Sequence, residues 1–278
     1  MLFSVIIPTF KRRDLLGSCL EQIAPGKQSL APENYEVVVT DDEGGDLPSF
    51  LAEKFPWARH NPGPQKGPAS NRNSGAKAAR GEWLIFLDDD CLPQPGFLTA
   101  YISAMKKYPG SRVFEGRTLA ERPKQRLDEE APINDHGGYL WSCNFLIDRN
   151  LFFELGGFWE GYPYACMEDV DFREQLKLRG ITFPFVPEAS VVHPWRSLAP
   201  EEKFLRMRVV SHALFYERYP ALRPTFFMTL RVILRLWVLL LFYEAPRLGF
   251  RGFSRFFARQ VTLTQDKFLI WNGAKEPR

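Results

Sequence analysis

The first half of the chain alternates short apolar runs with helical patterns. "FSVIIPTF" is a β-branched run that Pro8 interrupts, and "KRRDLLGSCLEQIA" follows with apolar residues at helical spacing. "YEVVV" and "WLIFL" are continuous apolar runs, which are typical of strands buried on both faces of a parallel sheet. Between them, "ASNRNSGAKAARG" predicts a helix that stops before Gly81. The alternation of strands and helices predicts a doubly wound α/β fold.

Three of these predicted strands run directly into polar residues, at Pro8 to Lys11, Asp41 to Gly45 and Asp88 to Asp90. Ligands of doubly wound sheets bind beyond the carboxyl ends of the strands, so we expect the three segments to converge on one crevice. The triple carboxylate has two interpretations. It is either a solvated loop that caps the next helix or a site for magnesium or manganese, which bridge carboxylates to a substrate diphosphate.

The second half of the domain is less regular. Residues 111–140 are polar, charged and rich in turn formers, which predicts a long loop that acts as a lid. Order resumes in "NFLIDRNLFFELGGF", which predicts a strand and then a helix that Gly156 and Gly157 end.

Two further segments carry candidate chemistry. "MEDVDFREQLKLRG" predicts a helix with Glu168 and Asp169 in its first turn. Acidic residues there either only stabilise the helix dipole or, for Asp169, accept a proton as a general base. "VPEASVVHP" predicts a strand that ends at His193, which is either a satisfied polar residue or a metal ligand.

Composition divides the chain near residue 200. Residues 1–200 carry 22 Lys and Arg against 27 Asp and Glu, whereas residues 201–278 carry 14 against 6, within a net charge of +3. The four cysteines show no Cys-x-x-Cys spacing, so we expect neither a zinc site nor a disulfide framework, and a reducing compartment. The N-terminus lacks the pattern of a signal peptide. We therefore expect a cytoplasmic protein.

The basic C-terminal region suggests a membrane surface. Four arginines recur at four-residue spacing, with phenylalanines on the other side of the predicted helix: Arg247, Arg251, Arg255 and Arg259. This pattern predicts an amphipathic helix on anionic lipid at the inner face of the cell membrane, or helices that simply pack on the rest of the chain. The apolar run before it is interrupted by Arg231 and Arg235, and we expect it to be too short to span a membrane. No recognition motif accompanies the arginines, so we expect no nucleic-acid partner.

Six segments carry a family resemblance: "SVIIPTFKR", "VVVTDDEGGD", "GPASNRNSGAKAARGEWLIFLDDDC", "LGGF", "EDVDF" and "VVHP". In this order and spacing, over residues 3–195, the chain resembles the inverting family 2 glycosyltransferases of GT-A fold. The resemblance implies a Rossmann-like, mixed, mostly parallel sheet flanked by helices. It implies a nucleotide-sugar-binding and catalytic domain at residues 1–200. Residues 201–278 form the basic, helical, membrane-associating region that the arginine pattern predicts.

The resemblance also implies roles for individual residues. Pro8, Thr9 and Arg12 would line the nucleotide pocket, Asp42 would hydrogen-bond the base, and Arg72 and Asn73 would lie under the donor. Asp88 and Asp89 would contact the donor, while Asp90, Asp88 and His193 would hold the metal. Asp169 would be the catalytic base, with Glu168 beside it.

The implied reaction is a metal-dependent single displacement, with manganese or magnesium, that transfers a sugar from a nucleoside diphosphate sugar. UDP is the commonest donor base, and the acceptor would be a hydroxyl of a lipid-linked glycan or another cell-envelope polysaccharide precursor. Gln175 stands where many members have a basic residue that contacts the diphosphate or the acceptor. The Q-x-x-R-W motif of processive synthases is absent, so we expect one sugar per acceptor. Two alternatives are a nucleotidyltransferase acting on sugar phosphates, although the chain lacks a glycine-rich basic phosphate loop near its N-terminus, and a non-catalytic nucleotide-binding protein.

Overall fold

The computed structural model describes residues 1–163, 166–197 and 202–271. The chain forms two compact units. Unit 1 contains Met1–Glu121, Pro132–Gly161 and Glu168–Pro194, and unit 2 contains Arg122–Ala131, Tyr162–Met167 and the chain from Trp195 onward.

The strands are β1 (Phe3–Thr9), β2 (Tyr35–Asp41), β3 (Ala58–Pro62), β4 (Trp83–Leu87), β5 (Leu92–Pro93), β6 (Val113–Ala120), β7 (Glu129–Glu130), β8 (Asn144–Asp148), β9 (Phe185–His193) and β10 (Arg196–Ser197). The helices are α1 (Arg13–Ile23), α2 (Leu47–Lys54), α3 (Pro68–Ala78), α4 (Phe97–Lys107), α5 (Arg149–Glu154), α6 (Glu168–Leu178), α7 (Glu202–Arg218), α8 (Phe226–Leu239), α9 (Ala245–Arg247) and α10 (Phe253–Trp271). Short 3₁₀ turns cover Pro32–Asn34 and Pro220–Leu222, and a π-helical turn covers Leu240–Glu244.

Unit 1 is built on one eight-stranded sheet in the order β3-β2-β1-β4-β8-β6-β9-β5. β1, β2, β3 and β4 pair in parallel, as do β6 and β9, whereas β8 is antiparallel to both neighbours and β5 is antiparallel to β9. The predicted mixed, mostly parallel sheet flanked by helices is therefore confirmed.

Both faces of this sheet are covered, which explains the continuous apolar runs. Alternate residues of β1 point to opposite sides, so that Val5 and Ile7 pack in one buried cluster and Ile6 in the other. The first cluster includes residues of α1, α2 and α4, and the second includes residues of α3, α5 and α6. α3 approaches the sheet closely because Gly75 has no side chain; a Cβ there would lie 2.5 Å from Ile6 Cγ2 and from Thr40 Oγ1.

The prediction of an unstructured lid over residues 111–140 is wrong. Residues 113–120 form β6, which lies between β8 and β9. The sequence pattern of this strand is interrupted by a charged residue, Glu115, whose exposed fraction is only 1%. Its carboxylate accepts hydrogen bonds from the backbone of Tyr139 and Leu140, so that the strand can bury a charge. In unit 2, residues 122–131 are held by the Leu127 N–H, which donates to Arg251 O at 2.9 Å.

The predicted single arginine-striped helix is also wrong. The helix stops at Arg247 and a new one starts at Phe253, because Gly249 and Gly252 adopt φ of +57° and +74°. Arg259 forms an ion pair with Glu130 at 2.7 Å within unit 2, which leaves it largely enclosed. The four arginines, Arg247 to Arg259, therefore do not line one face of a single helix.

α8, the π-helical turn and α9 form one continuous helix, Phe226–Arg247. It has 22 residues and a mean hydropathy of 1.9 in its most apolar window, so by length and composition it could cross a membrane. The expectation that this run is too short is therefore wrong.

Candidate active site

Each of the three carboxylates that follow β4 binds a different segment of unit 1. Asp88 contacts α3, Asp89 contacts the end of β1 and the start of α1, and Asp90 contacts the end of β9. Of the segments expected to converge, Pro8 to Lys11 reaches the triple aspartate through Thr9, and Asp41 to Gly45 adjoins Thr9, whose carbonyl oxygen accepts from Asp42 N–H at 3.1 Å. Leu87, the last residue of β4, pairs with Asn144 at the start of β8, so the loop before β8 opens at the same edge.

Asp89 is the innermost of the three and has no exposed surface. Its carboxylate accepts a hydrogen bond from Thr9 Oγ1 at 2.8 Å and lies 2.8 Å from Arg12 Nη2. Burial raises the pKa of Asp89 to about 7, although Arg12 and Thr9 favour its charged form. Asp89 therefore joins the Pro8–Arg12 segment to the end of β4. Pro8 is buried in β1 and brings no polar side chain to the cluster.

Asp90 and His193 form the second contact. Both side chains are fully enclosed, and Asp90 Oδ1 lies 3.3 Å from His193 Nε2. On its other side, Asp90 Oδ2 accepts a hydrogen bond from Arg12 Nη1 at 3.2 Å. His193 Nδ1 lies 2.6 Å from Pro194 O, and a carbonyl oxygen can only accept, so Nδ1 carries the proton.

This tautomer makes the pair a suitable site for a divalent cation. In neutral His193, Nε2 presents a lone pair to a carboxylate oxygen, and two acceptors this close need a proton on Nε2 or a metal between them. Cys91 Sγ completes a group of ligand atoms that all lie within 4.8 Å of one another. A hydrogen bond with Cys143 and burial raise the pKa of the Cys91 thiol, which disfavours the thiolate as a ligand. One imidazole nitrogen and one carboxylate suit manganese or magnesium completed by substrate oxygens.

Arg72 links the triple aspartate to the acidic start of α6. Its guanidinium is buried in α3, donates to Asp88 Oδ1 at 2.6 Å through Nη2 and to Glu168 Oε1 at 3.1 Å through Nη1. Burial alone would lower the pKa of Arg72, but the charges of Asp88 and Glu168 raise it above its usual value. Asp88 is thus bound by Arg72, and it does not belong to the group of ligand atoms around His193 within the part of the chain that the structure describes.

Glu168 and Asp169 occupy the first turn of α6. Burial, and then the neighbouring Asp169, raise the pKa of Glu168 to about 7 against the opposing charge of Arg72. Burial also raises the pKa of Asp169, although Arg72 and the backbone N–H groups of Val170 and Ser142 favour its ionised form. A half-buried carboxylate with a raised pKa has the properties of a general base.

Asp42 and Asn73, which were predicted to contact the nucleotide sugar, hydrogen-bond to loops of unit 1. Both oxygens of the Asp42 carboxylate accept backbone hydrogen bonds, Oδ1 from Gln65 at 2.9 Å and Oδ2 from Gly67 at 3.1 Å. Asn73 Nδ2 donates to Phe158 O and to Glu160 Oε1, both at 2.8 Å, and Asn73 Oδ1 accepts from Phe158 N–H. Asn73 thus holds the loop after α5. Within the described residues, its side chain makes no hydrogen bond to the triple aspartate.

Sequence reasoning missed two members of the site. The Ser142 backbone N–H favours the ionised form of Asp169, and a backbone group has no signature in residue type. Cys91 could have been found, since it directly follows the triple aspartate, but its spacing matches no metal motif.

The fold is also that of known sugar transferases. A crystal structure of S. aureus TarS 1-349 in complex with UDP-GlcNAc aligns over 98% of this chain and 91% of that one, with a TM-score of 0.57 and 18% identity. Validoxylamine A glucosyltransferase of Streptomyces hygroscopicus subsp. limoneus is 26% identical over 274 residues, which cover 81% of this chain and 58% of that protein. Poly(ribitol-phosphate) beta-glucosyltransferase of Bacillus spizizenii is 28% identical over 165 residues, which cover 56% of this chain and 24% of that protein. The chain thus spans less than two thirds of the length of these curated relatives.

The mixed, mostly parallel sheet flanked by helices is the GT-A fold. The family model of glycosyl transferase family 2 matches residues 4–156, which is more than half of the chain. The chain belongs to this family, as its motifs predicted.

Proposed function

We propose that this protein is a metal-dependent, inverting and non-processive glycosyltransferase. It would move a hexose from a UDP-sugar to a hydroxyl group of a cell-envelope polysaccharide precursor, such as a lipid-linked glycan. The single observation that carries the proposal is the bridge that Arg72 makes between Asp88 and Glu168. Asp88 would face the donor, and Glu168 adjoins Asp169, the proposed base. The buried guanidinium of Arg72 thereby fixes the distance between the carboxylate proposed to face the donor and the carboxylate beside the proposed base.

In this reaction Asp169 accepts the proton of the acceptor hydroxyl as that oxygen attacks the anomeric carbon from the face opposite the leaving group. Attack from that face inverts the anomeric configuration. Arg72 keeps the carboxylates of Asp88 and Glu168 apart and favours the ionised form of Asp169. Arg12 and Thr9 hold the loop that carries Asp89 and Asp90.

Asp90 and His193 are the residues that would hold manganese or magnesium. The ion, when bound, supplies positive charge against the negative charge that develops on the leaving nucleoside diphosphate. The UDP moiety is proposed because TarS of similar fold was crystallised with UDP-GlcNAc, and the polymer acceptor because relatives are named for poly(ribitol-phosphate). Membership of family 2 favours sugar transfer over the nucleotidyltransferase and non-catalytic alternatives.

The test is the release of UDP, dTDP or GDP from a panel of nucleotide sugars, with manganese, with magnesium and with a chelator. We expect release of one nucleoside diphosphate that stops when the metal is chelated. Release of pyrophosphate from a sugar phosphate and a nucleoside triphosphate would instead identify a nucleotidyltransferase. A protein that neither releases nor binds any nucleotide would contradict the proposal.

The continuous helix Phe226–Arg247 supports a peripheral position on an anionic membrane, on the cytoplasmic side. Only 17% of its most apolar window is buried, and Phe227 and Phe242 are 78% and 73% exposed. Exposed Arg231 and Arg235 lie among these apolar residues and can pair with lipid phosphates. The acceptor would then be reached at the lipid surface.

This position is tested by sedimentation of the full chain with phosphatidylcholine vesicles, with and without phosphatidylserine. We expect binding that requires phosphatidylserine. We expect this binding to be lost in a double variant, Phe227→Ser with Phe242→Ser. Phe153→Ser, which changes an exposed phenylalanine of unit 1, is the matched control. Equal sedimentation of the double variant and the wild type would refute the membrane surface.

A further inference from the structure

Tyr139 and Trp141 form a stacked aromatic pair in the loop before β8. Their ring centroids are 4.6 Å apart and the ring planes differ by 29°. Trp141 packs half-buried against the core of unit 1, whereas Tyr139 is 43% exposed. An outward-facing tyrosine supported from behind by a fixed indole offers a flat apolar surface to a ligand.

The loop that carries this pair is rigidly held. The buried carboxylate of Glu115 accepts hydrogen bonds from three successive backbone N–H groups, those of Gly138, Tyr139 and Leu140. Asn134 Nδ2 donates to the same carboxylate at 2.8 Å. Leu140 adopts φ of +48°, which a leucine keeps only where its surroundings enforce it. The aromatic pair is therefore ordered before any ligand arrives.

The same loop lies along the face of α6 that bears Asp169. The Ser142 backbone N–H favours the ionised form of Asp169, and Arg173 Nη1 donates to Tyr139 O at 3.3 Å. Asp169 and Arg173 are one helical turn apart, so the two contacts align residues 139–142 with the first turns of α6. The loop enters β8, which pairs with β4, whereas Thr9 and Asp42 lie at the ends of β1 and β2 on the other side of β4.

We propose that Tyr139 and Trp141 form the acceptor subsite, which binds a pyranose ring of the acceptor by stacking against its C–H face. This inference rests on the proposed function and names the class of its acceptor as a cyclic sugar. The C–H face of a pyranose is apolar with slightly positive hydrogens, and it complements the electron-rich face of an aromatic ring. The nucleotide of the donor is expected away from this surface, because Thr9 and Asp42, two of its predicted contacts, lie across β4.

The subsite is tested first by binding, which does not depend on turnover. Saturation-transfer NMR would measure the binding of a series of methyl pyranosides to the full chain with UDP and manganese, with ribitol as an open-chain control. We expect a signal for at least one pyranoside with the wild type and with Tyr139→Phe, and its loss in Tyr139→Ala. Tyr108→Ala removes another exposed tyrosine, at the end of α4, and is expected to retain the signal. Retention in Tyr139→Ala, or no pyranoside signal with the wild type, would overturn the proposal.

Kinetics separate this inference from the proposed function. Tyr139→Ala is expected to lower kcat/KM for a pyranoside acceptor about tenfold, the value of one aromatic contact. Its KM for the donor is expected to stay near the wild-type value, and Tyr108→Ala is expected to keep the wild-type kcat/KM for the acceptor. Release of nucleoside diphosphate with no effect of Tyr139→Ala on the acceptor overturns the subsite alone. A wild type without any release contradicts the proposed function, and the NMR result then still decides the subsite.

Discussion

Arg72 Nη1 lies 3.1 Å from Glu168 Oε1, and the two side chains come from positions 96 residues apart in the chain. Both are buried, and the second guanidinium nitrogen of Arg72 is bound to Asp88. Removal of the buried Arg72 guanidinium should destabilise the protein, because the carboxylates of Asp88 and Glu168 then lose their partner in a poorly solvated site.

Replacement of Arg72 by glutamine should therefore lower the free energy of unfolding by about 3–5 kcal/mol. Denaturation by urea, followed by tryptophan fluorescence, measures the loss. Arg112→Gln is the control, because its contacts with Asp148 and Glu154 are exposed and should contribute less than about 1 kcal/mol. Equal losses in the two variants would show that the Arg72 bridge is not a structural centre of unit 1.

The raised pKa values of Glu168 and Asp169 predict a pH-dependent turnover. A protonated carboxyl group cannot accept the acceptor's proton, so turnover should fall as the pH is lowered through the raised pKa of Asp169. The two groups titrate as a pair, and the acid limb belongs to both.

Glu168→Gln distinguishes the base from its neighbour. Glutamine keeps an acceptor for Arg72 but removes the negative charge beside Asp169, which should lower the pKa of Asp169. The acid limb of kcat should then move to lower pH. A profile that is unmoved, or one that moves to higher pH, would argue against Asp169 as the ionised base.

The contact between His193 and Asp90 predicts direct metal binding. His193→Ala and Asp90→Asn should each weaken the binding of manganese in the presence of UDP by about tenfold or more, measured by calorimetry. His60→Ala is the matched control, since His60 Nε2 also faces an aspartate, at 3.8 Å from Asp41 Oδ2. Manganese affinity that falls equally in the control, or that persists in both site variants, would exclude this pair as the ligands.

Glu129 predicts an acid-sensitive contribution to stability in unit 2. The hydrogen bond from Arg122, with those from the backbone N–H groups of Gln125 and Arg126, lowers the pKa of Glu129 from 4.5 to about 2. The folded protein therefore binds this proton less readily than the unfolded chain does. The stabilisation is complete above pH 4.5 and is lost as the pH falls towards 2.

The free energy of unfolding of Glu129→Gln should accordingly lie about 1.5–3 kcal/mol below that of the wild type at pH 7. The difference should shrink as the pH is lowered below 4.5. Glu154→Gln, which changes an exposed carboxylate, should show little difference at any pH. A constant difference for Glu129→Gln across this range would mean that its charge is not the cause.

The sequence predicted the features of this site that depend on local pattern. Continuous apolar runs that end in Asp41 or Asp88 reveal buried parallel strands, and strands of this kind open at one edge. β6 was missed because the charge of Glu115 is satisfied by the backbone of residues 138–140, which only the tertiary structure brings there. Likewise the regular spacing of Arg247 to Arg259 suggested one helix, whereas the backbone conformation of Gly249 and Gly252 divides it.

The most direct test of the central claim compares the wild type with Asp169→Asn on the nucleotide sugar that the donor panel identifies. Asparagine preserves the shape of the side chain but cannot accept the proton. We expect nucleotide binding within about twofold of the wild type and a turnover that falls by about 10²–10⁴. Turnover at the wild-type rate in Asp169→Asn would contradict the assignment of this site as a displacement centre with Asp169 as its base.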